Sequence, residues 1–257
     1  MEYVVICLVA LAASMLTFFS GFGLGTLLMP VMALFFPVEI AIALTGVVHF
    51  CNNLFKLFLA GRHANKEVLL RFGIPAVVAA LLGAWLLLQF SEGQLLFRYE
   101  LLQKQFSVTV LHFLIAVVLF VFSILELWPG FQRLQFSPSK LPLGGFLSGF
   151  FGGLSGMQGA LRSAFLIKAG LSKEAFIGTT VVVSTFVDMT RLGVYATRFS
   201  KAGLINNLPL VSAAVLAAIT GAYIGNRLLK KVTIQFLQFT VALLLLLVSL
   251  ALGAGWI

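Results

Sequence analysis

Two apolar stretches of the chain each carry a row of polar and ionisable residues. In the first stretch, Thr45, His49, Asn52, Asn53 and Lys56 are spaced by three and four positions. That spacing places them on one face of a helix. Polar groups inside a membrane are costly, so such a face normally turns toward the bundle interior or an aqueous cavity.

The second row has a similar make-up and lies in the later part of the chain. It consists of Thr180, Ser184, Asp188 and Arg191, with Thr179 beside them. Hydroxyls, amides and cations together are suited to binding an anion, whereas His49 and Asp188 are the groups that can exchange a proton. We therefore expect the two rows to meet at a site for a small anion, with His49 and Asp188 as candidates for proton coupling.

Each row follows a segment in which small residues interrupt an apolar run. The residues of these two breaks that we assign to the site are Ser20, Gly21, Gly23 and Gly25, and then Ser155, Gly156, Gln158 and Gly159. Glycine at this density weakens a helix. An unwound turn then leaves the N–H groups of the next half-helix facing an anion. The alternative is close packing of small residues between helices.

The charged candidates also have structural alternatives. Lys56 lies about one turn from its predicted helix end and can extend its amine to the interface. Arg191 has Asp188 three residues before it, which allows a structural ion pair. Arg162 can point either to the anion or to lipid headgroups, and His49 can be a hydrogen-bonded structural residue. These alternatives remain open at the level of sequence.

The composition predicts the environment of these residues. Of 257 residues, 61% are hydrophobic and 10% are charged, against about 25% charged in soluble domains. Long apolar runs without alternation indicate membrane-spanning helices and exclude a barrel, so we predict an all-α membrane protein. The net charge of +9 is spread over short polar breaks, as in segments that flank a bilayer. We expect a lipid bilayer as surroundings, and no nucleic acid, cofactor or metal.

We predict about eight spans in two related four-helix halves, each opening with a glycine-broken helix. The first half covers residues 1–128, a connector covers 129–140, and the second half covers 141–257. The predicted helices are residues 3–36 with a break after 20, 39–60, 68–90, 106–127, 141–170 with a break near 155, 173–196, 204–226 and 232–253. Residues 90–105 are predicted to be an interfacial loop. Residues 1–19 lack a basic start, so we expect a retained helix. Cys7 and Cys51 are expected to be buried free thiols.

The prediction of two halves depends on an internal repeat. Residues 20–69 and 155–204, aligned without gaps, share ten identities. The polar matches are the most informative, because Asn53 aligns with Asp188 and Lys56 aligns with Arg191 at positions where an apolar helix has little reason to place them. Transporters built from two repeats bind substrate at the repeat interface. The relative orientation of the halves, the position of the N-terminus and the oligomeric state stay undecided.

At these segments the sequence resembles the sulfite exporter TauE/SafE family of membrane permeases. The segment SGFGLGTLLMP at 20–30 has the glycine-rich break followed by apolar residues and proline, and SGMQGALRSAFLIKAGLSKEAFIGTT at 155–180 keeps the small residues. The second segment has Ala164 and Phe165 where the family often has proline, and Leu24 interrupts the first glycine run. The resemblance implies transport of sulfite, organosulfonates or related sulfur-containing anions across a bacterial inner membrane.

The expectation is therefore an anion permease with alternating access, and export is the direction that needs no coupled ion. Proton-coupled uptake and a scaffold or sensor without flux are the alternatives. An enzyme is not expected, although Gly153-Leu154-Ser155-Gly156 has the GxSG pattern of intramembrane serine proteases. That chemistry needs a histidine base on a later helix, and all three histidines precede Ser155.

Overall fold

A computed structural model describes residues 1–18, 24–90, 93–128, 130, 136–199, 206–228 and 234–257. Most of these residues are helical. The helices are α1 (Glu2–Thr17), α2 (Leu24–Met32), α3 (Val38–Ala60), α4 (Lys66–Phe90), α5 (Val110–Leu127), α6 (Leu141–Ser155), α7 (Gly159–Leu166), α8 (Lys173–Phe199), α9 (Leu208–Leu228) and α10 (Ile234–Gly253). Short 3₁₀ turns occupy Gly61–His63 and Pro138–Lys140.

Within the described ranges, five helices are long and apolar enough to cross a membrane. They are Val38–His63, Lys66–Phe90, Val110–Leu127, Lys173–Thr197 and Leu208–Arg227. Two shorter apolar helices, Glu2–Thr17 and Phe239–Gly253, accompany them. The chain is thus a mostly helical protein with several membrane-spanning segments, in agreement with the apolar composition.

Helix α4 contains one irregular turn. Residues Leu69–Gly73 form a π-helical segment immediately before Ile74 and Pro75. Proline has no N–H to donate, and its ring clashes with the carbonyl one turn back. The wider π turn relieves this conflict without ending the helix.

The described residues also contain a two-stranded antiparallel hairpin where a loop was predicted. Strand β1 is Leu95–Leu101 and strand β2 is Lys104–Thr109. Leu102 and Gln103 form the turn, and both have positive φ angles, of 51° and 62°, as two-residue hairpin turns of type I′ require. Because β2 extends to Thr109, helix α5 begins at Val110 rather than at the predicted residue 106. The Thr109 side chain caps the helix by accepting a hydrogen bond from His112 N at 3.1 Å.

The helices pack in pairs that join early and late parts of the chain. Helix α1 packs against α9, α4 against α6, α5 against α10, and α3 against α8. Two of these contacts depend on glycine, because a Cβ atom on Gly149 would lie 1.9 Å from the carbonyl oxygen of Ala76, and one on Gly221 would lie 2.1 Å from that of Leu11. The space for a side chain at these glycines is therefore taken by the backbone of the neighbouring helix, and small residues allow membrane helices to approach in this way.

We predict that Gly149→Ala destabilises the protein, because the methyl group collides with the α4 backbone rather than with a movable side chain. Overpacking typically costs about 1–3 kcal/mol, and a backbone clash belongs at the upper end of that range. The measurement is thermal unfolding in detergent. Gly193→Ala is the control, since a Cβ atom there meets nothing within 4 Å. Equal unfolding temperatures for the two variants would contradict the close approach of α4 and α6.

Cys7 and Cys51 are both free, as predicted. Both are partly exposed on the surface rather than buried, which corrects the expectation. Their helices turn these positions partly outward, where an apolar thiol is compatible with hydrocarbon.

Candidate functional site

The two polar rows meet where α3 packs against α8. His49 Nδ1 lies 2.6 Å from Asp188 Oδ2, and Asn53 Nδ2 donates to the same oxygen at 2.9 Å. Asn53 Nδ2 also lies 3.1 Å from His49 Nδ1. All three side chains are buried. The i, i+4 spacing of His49 and Asn53 therefore places both residues against one carboxylate.

Arg191 forms the ion pair with Asp188 that the sequence allowed. Its Nε donates to Asp188 Oδ1 at 3.0 Å, and its Nη2 lies 2.8 Å from the same oxygen, with both side chains fully buried. The carboxylate thus has a cation on one oxygen and a histidine and an amide on the other. Such an arrangement satisfies a buried charge that would otherwise be costly in the membrane.

The second break lies directly against this ion pair. Helix α6 ends at Ser155, Gly156 has a φ of 82°, and α7 begins at Gly159. The positive φ angle of Gly156 favours glycine, and because a Cβ atom on this residue would lie 2.6 Å from Arg191 Nη1, a larger residue here would also displace the guanidinium. A Cβ atom on Gly25 would lie 3.4 Å from the carbonyl oxygen of Gly156. The start of α2 therefore approaches the turn between α6 and α7.

Arg162 connects α7 with α8. Its Nη1 donates to Gln158 Oε1 at 3.0 Å and to Ser184 Oγ at 2.6 Å. The Gln158 amide in turn reaches Asp188 Oδ1 over a long 3.4 Å contact. Arg162 is only 2% exposed, so in this structure it faces the bundle interior rather than lipid headgroups.

Lys56 is the second buried cation near the polar rows. It is 6% exposed, and its Nζ lies 5.4 Å from the centre of the Phe18 ring. Within the part of the chain that the structure describes, no carboxylate lies within 4.0 Å of this amine. An ammonium group over an aromatic face is attracted by the ring, but its charge is not neutralised.

A small cavity of about 20 Å³ lies between these groups. Five described helices (α1, α2, α3, α7 and α8) and Phe18, the residue after α1, contribute to its wall. The lining residues are Thr17, Phe18, Leu24, His49, Asn53, Lys56, Arg162, Phe176, Ile177, Thr180, Val181 and Ser184. The Oγ1 of Thr180 is buried and makes no hydrogen bond to a described residue. Both cations and this hydroxyl therefore border the same space.

The match to a protein-family model decides the identity of the chain at the level of family. The model described as "Sulfite exporter TauE/SafE" matches residues 6–252. The chain belongs to the sulfite exporter TauE/SafE family. A search of curated proteins gave no match.

Membership of the TauE/SafE family makes the chain a member of a membrane transporter family rather than of an enzyme family. The hydroxyl of Ser155, the serine of the GxSG pattern, donates to the carbonyl oxygen of Phe151 at 3.0 Å, one helical turn back. No group of three or more His, Cys, Asp or Glu side chains that could hold a metal ion is found in the described ranges.

Several predicted residues of this TauE/SafE protein lie beside the cluster or outside it. Asn52 accepts from Ser14 of α1 at 3.0 Å, and Thr179 accepts from the backbone N–H of Asn65 at 2.9 Å. Thr45 is buried, and its Oγ1 has no hydrogen-bond partner among the described residues. Ser20, Gly21 and Gly23 lie outside the described residues.

The structure adds two residues that sequence reasoning missed. Phe18 faces Lys56, but one of 26 phenylalanines gives no signal on its own. Tyr195 donates a hydrogen bond to the carbonyl oxygen of Gly153. Its position four residues after Arg191 continues the polar row of α8, so the spacing alone was enough to include it.

We predict that Thr179→Val lowers stability without changing anion affinity. Valine has nearly the same shape but cannot accept from Asn65, which leaves that N–H without its partner and costs about 1–3 kcal/mol. Unfolding in detergent measures the loss, and binding of an anion measures the affinity. Thr185→Val is the matched control, since that hydroxyl only donates to Val181 of its own helix. A weakened anion affinity in Thr179→Val would instead place Thr179 in the binding site.

Proposed function

We propose that this TauE/SafE family member is a permease for small anions, and that sulfite, an organosulfonate or a related sulfur-containing anion is its class of substrate. One observation carries the proposal. Lys56 and Arg162 are buried, come from different parts of the chain and border the same cavity as the Thr180 hydroxyl, which has no hydrogen-bond partner among the described residues. Buried cations that face an interior space are typical of substrate pathways in membrane proteins.

The charges around the cavity favour an anion over a cation. Among the residues that the structure describes, three cations, Lys56, Arg162 and Arg191, are buried in this region with one carboxylate, Asp188. Asp188 already accepts from His49, Asn53 and Arg191. A bound anion with several oxygens can supply the missing negative charge and accept from the ammonium, the guanidinium and the hydroxyl together.

Two related halves fit the packing of the helices. In the proposed division at 1–128, 129–140 and 141–257, α1 to α5 correspond in order to α6 to α10. The contact of α1 with α9 then corresponds to the contact of α6 with α4, while α3 pairs with its counterpart α8 and α5 with α10. A pseudo-two-fold axis through the α3–α8 contact would produce this exchange and would place the substrate near the repeat interface.

The small cavity supports an alternating-access mechanism in which this structure is a closed form. A volume of about 20 Å³ is sufficient for roughly one water molecule. A sulfur oxyanion has three or more heavy atoms and needs more space. We infer that the walls separate toward one side of the membrane to admit the anion, and that the N-terminus of α7 and the approach of α2 to Gly156 close around it.

Export is the direction that the energetics favour in a multi-pass protein of a bacterial inner membrane. A monoanion that leaves a negative-inside cell gains about 2.3 kcal/mol per 100 mV, so no coupled ion is required. The alternative is proton-coupled uptake. The 2.6 Å contact between His49 and Asp188 favours this alternative, because a histidine and a carboxylate in contact can share and release a proton.

The test is efflux from proteoliposomes that are loaded separately with sulfite, thiosulfate, a small sulfonate, sulfate or chloride, with a membrane potential imposed by a potassium gradient. The proposal expects selective efflux of one or more sulfur-containing anions, accelerated by an inside-negative potential. Uptake that depends on an inward proton gradient, and is lost in His49→Gln, would support the alternative. Absence of flux for all anions would contradict the permease and favour a membrane scaffold or sensor.

A further inference from the structure

An apolar groove of about 280 Å³ lies between α4 and α8 on the outer side of the bundle. Its wall consists of five residues of α4 between Leu69 and Val78, together with Val182, Val183 and Phe186 of α8. Ligand sites usually measure about 300–1,000 Å³, so the groove approaches that size. It is separate from the polar cavity, whose residues lie on the other face of α8.

The groove exists because of two features of α4. The π turn Leu69–Gly73 displaces the helix backbone, and Gly73 has no side chain to fill the resulting space. A Cβ atom on Gly73 would make ordinary contact with Val183 at 3.5 Å. A larger side chain at this position would therefore occupy the groove.

The depth of the groove matches one leaflet of a bilayer. The α4 span begins at Lys66, and the groove residues lie three to twelve positions further on, which corresponds to about 4–18 Å along the axis. Half of the hydrocarbon core measures about 15 Å. An apolar chain that enters from the interface would therefore run the whole length of the groove.

The interfacial end of the groove carries excess positive charge. Arg62 and Lys66 are exposed there, and the turn that carries Arg62 lies against Gly178 of α8, one helical turn before Val182. The exposed Glu67 pairs with Arg71 at 3.2 Å, so it does not compensate the charge of Arg62 or Lys66. Cations at this level attract the phosphate of anionic lipids.

We propose that the groove is a binding site for one acyl chain of an anionic phospholipid, with Arg62 and Lys66 at the headgroup. The lipid chain fills the space next to Gly73 and holds α4 at its present distance from α8. Because Val182 and Phe186 alternate along α8 with Thr180, Ser184 and Asp188, a bound lipid also restrains the helix that carries the polar row.

The test is native mass spectrometry of the purified chain in mild detergent, titrated with phosphatidylglycerol or phosphatidylcholine that have the same acyl chains. The wild type should retain one phosphatidylglycerol per chain in preference to phosphatidylcholine. Gly73→Leu should weaken that retention roughly tenfold, because the leucine displaces the acyl chain from its contacts. Gly193→Leu, on an exposed face of α8 with nothing near its Cβ position, should bind as the wild type does.

The double variant Arg62→Gln, Lys66→Gln tests the headgroup without disturbing packing, since both side chains are exposed. It should still bind lipid but lose the preference for phosphatidylglycerol. Equal retention of the two lipids by the wild type would overturn the proposal, because it would indicate non-specific lipid around the protein rather than a site. Unchanged retention of phosphatidylglycerol by Gly73→Leu would overturn it as well, and so would a lipid-free dimer whose interface covers the groove.

Discussion

Replacement of Lys56 by glutamine is expected to weaken anion binding roughly ten- to a hundred-fold, since a hydrogen bond to a charged group contributes about 1.5–3 kcal/mol. The fold should remain intact. Lys56 is buried without a carboxylate within 4.0 Å among the described residues, so its removal leaves no opposite charge unpaired. The affinity is measured from the concentration dependence of anion efflux, and the stability from thermal unfolding in detergent.

Lys168→Gln is the control for this prediction. It removes the same charge from an exposed position just after α7 and should change neither property. If Lys56→Gln transports with the affinity of the wild type, Lys56 is a structural cation held over Phe18, and the anion site has to be sought around Arg162 alone. A large loss of stability would equally contradict the assignment.

Replacement of Arg191 by glutamine should have the opposite pattern. The substitution leaves Asp188 buried without its cation, and removal of one partner from a buried ion pair costs about 3–5 kcal/mol. We therefore expect low yield and a strongly reduced free energy of unfolding. The His49 and Asn53 contacts to the other carboxylate oxygen reduce the effect but do not replace a guanidinium.

The double variant Asp188→Asn, Arg191→Gln provides the decisive comparison, because two neutral amides can hydrogen-bond where the ion pair stood. Its free energy of unfolding should recover most of the loss, and the double-mutant cycle then gives the coupling between the two residues. If the double variant is as unstable as Arg191→Gln, the guanidinium acts on other groups, such as the backbone around Gly156. Recovery of transport in the double variant would show that this pair only supports the structure.

These two variants illustrate which parts of the site the sequence was able to predict. The i, i+3 spacing of Asp188 and Arg191 is local, so their ion pair could be anticipated from helix geometry. The contact of Asn53 with Asp188 spans 135 positions and was anticipated only in the general expectation that the two polar rows meet. The contact of His49 with Asp188 could not be predicted from the sequence, because the two residues are 139 positions apart and only the packing of α3 against α8 brings them together.

Other parts of the structure left little trace in the sequence. The hairpin at Leu95–Thr109 is short, and its alternating pattern is weaker than the apolar runs on either side. Asn52 shares a helical face with the site residues but accepts a hydrogen bond from Ser14, a residue of α1 that lies 38 positions earlier in the chain. The apolar runs, in contrast, predicted the helices well, since a backbone in hydrocarbon has to satisfy its own hydrogen bonds.

The pairing of α1 with α9 also affects how the protein is made. The carbonyl of Leu11 and the glycine that accommodates it, Gly221, are separated by about 210 positions. At a synthesis rate of about 5–20 residues per second, α1 remains without its final neighbour for roughly 10–40 s after it leaves the ribosome. During that interval the face of α1 with Leu11 and Met15, against which Gly221 and Gly225 of α9 later pack, lies in the membrane without its final neighbour. A nascent chain that stops before α9 therefore lacks the close backbone contact that holds α1 in the bundle, and it is an expected substrate for membrane proteases.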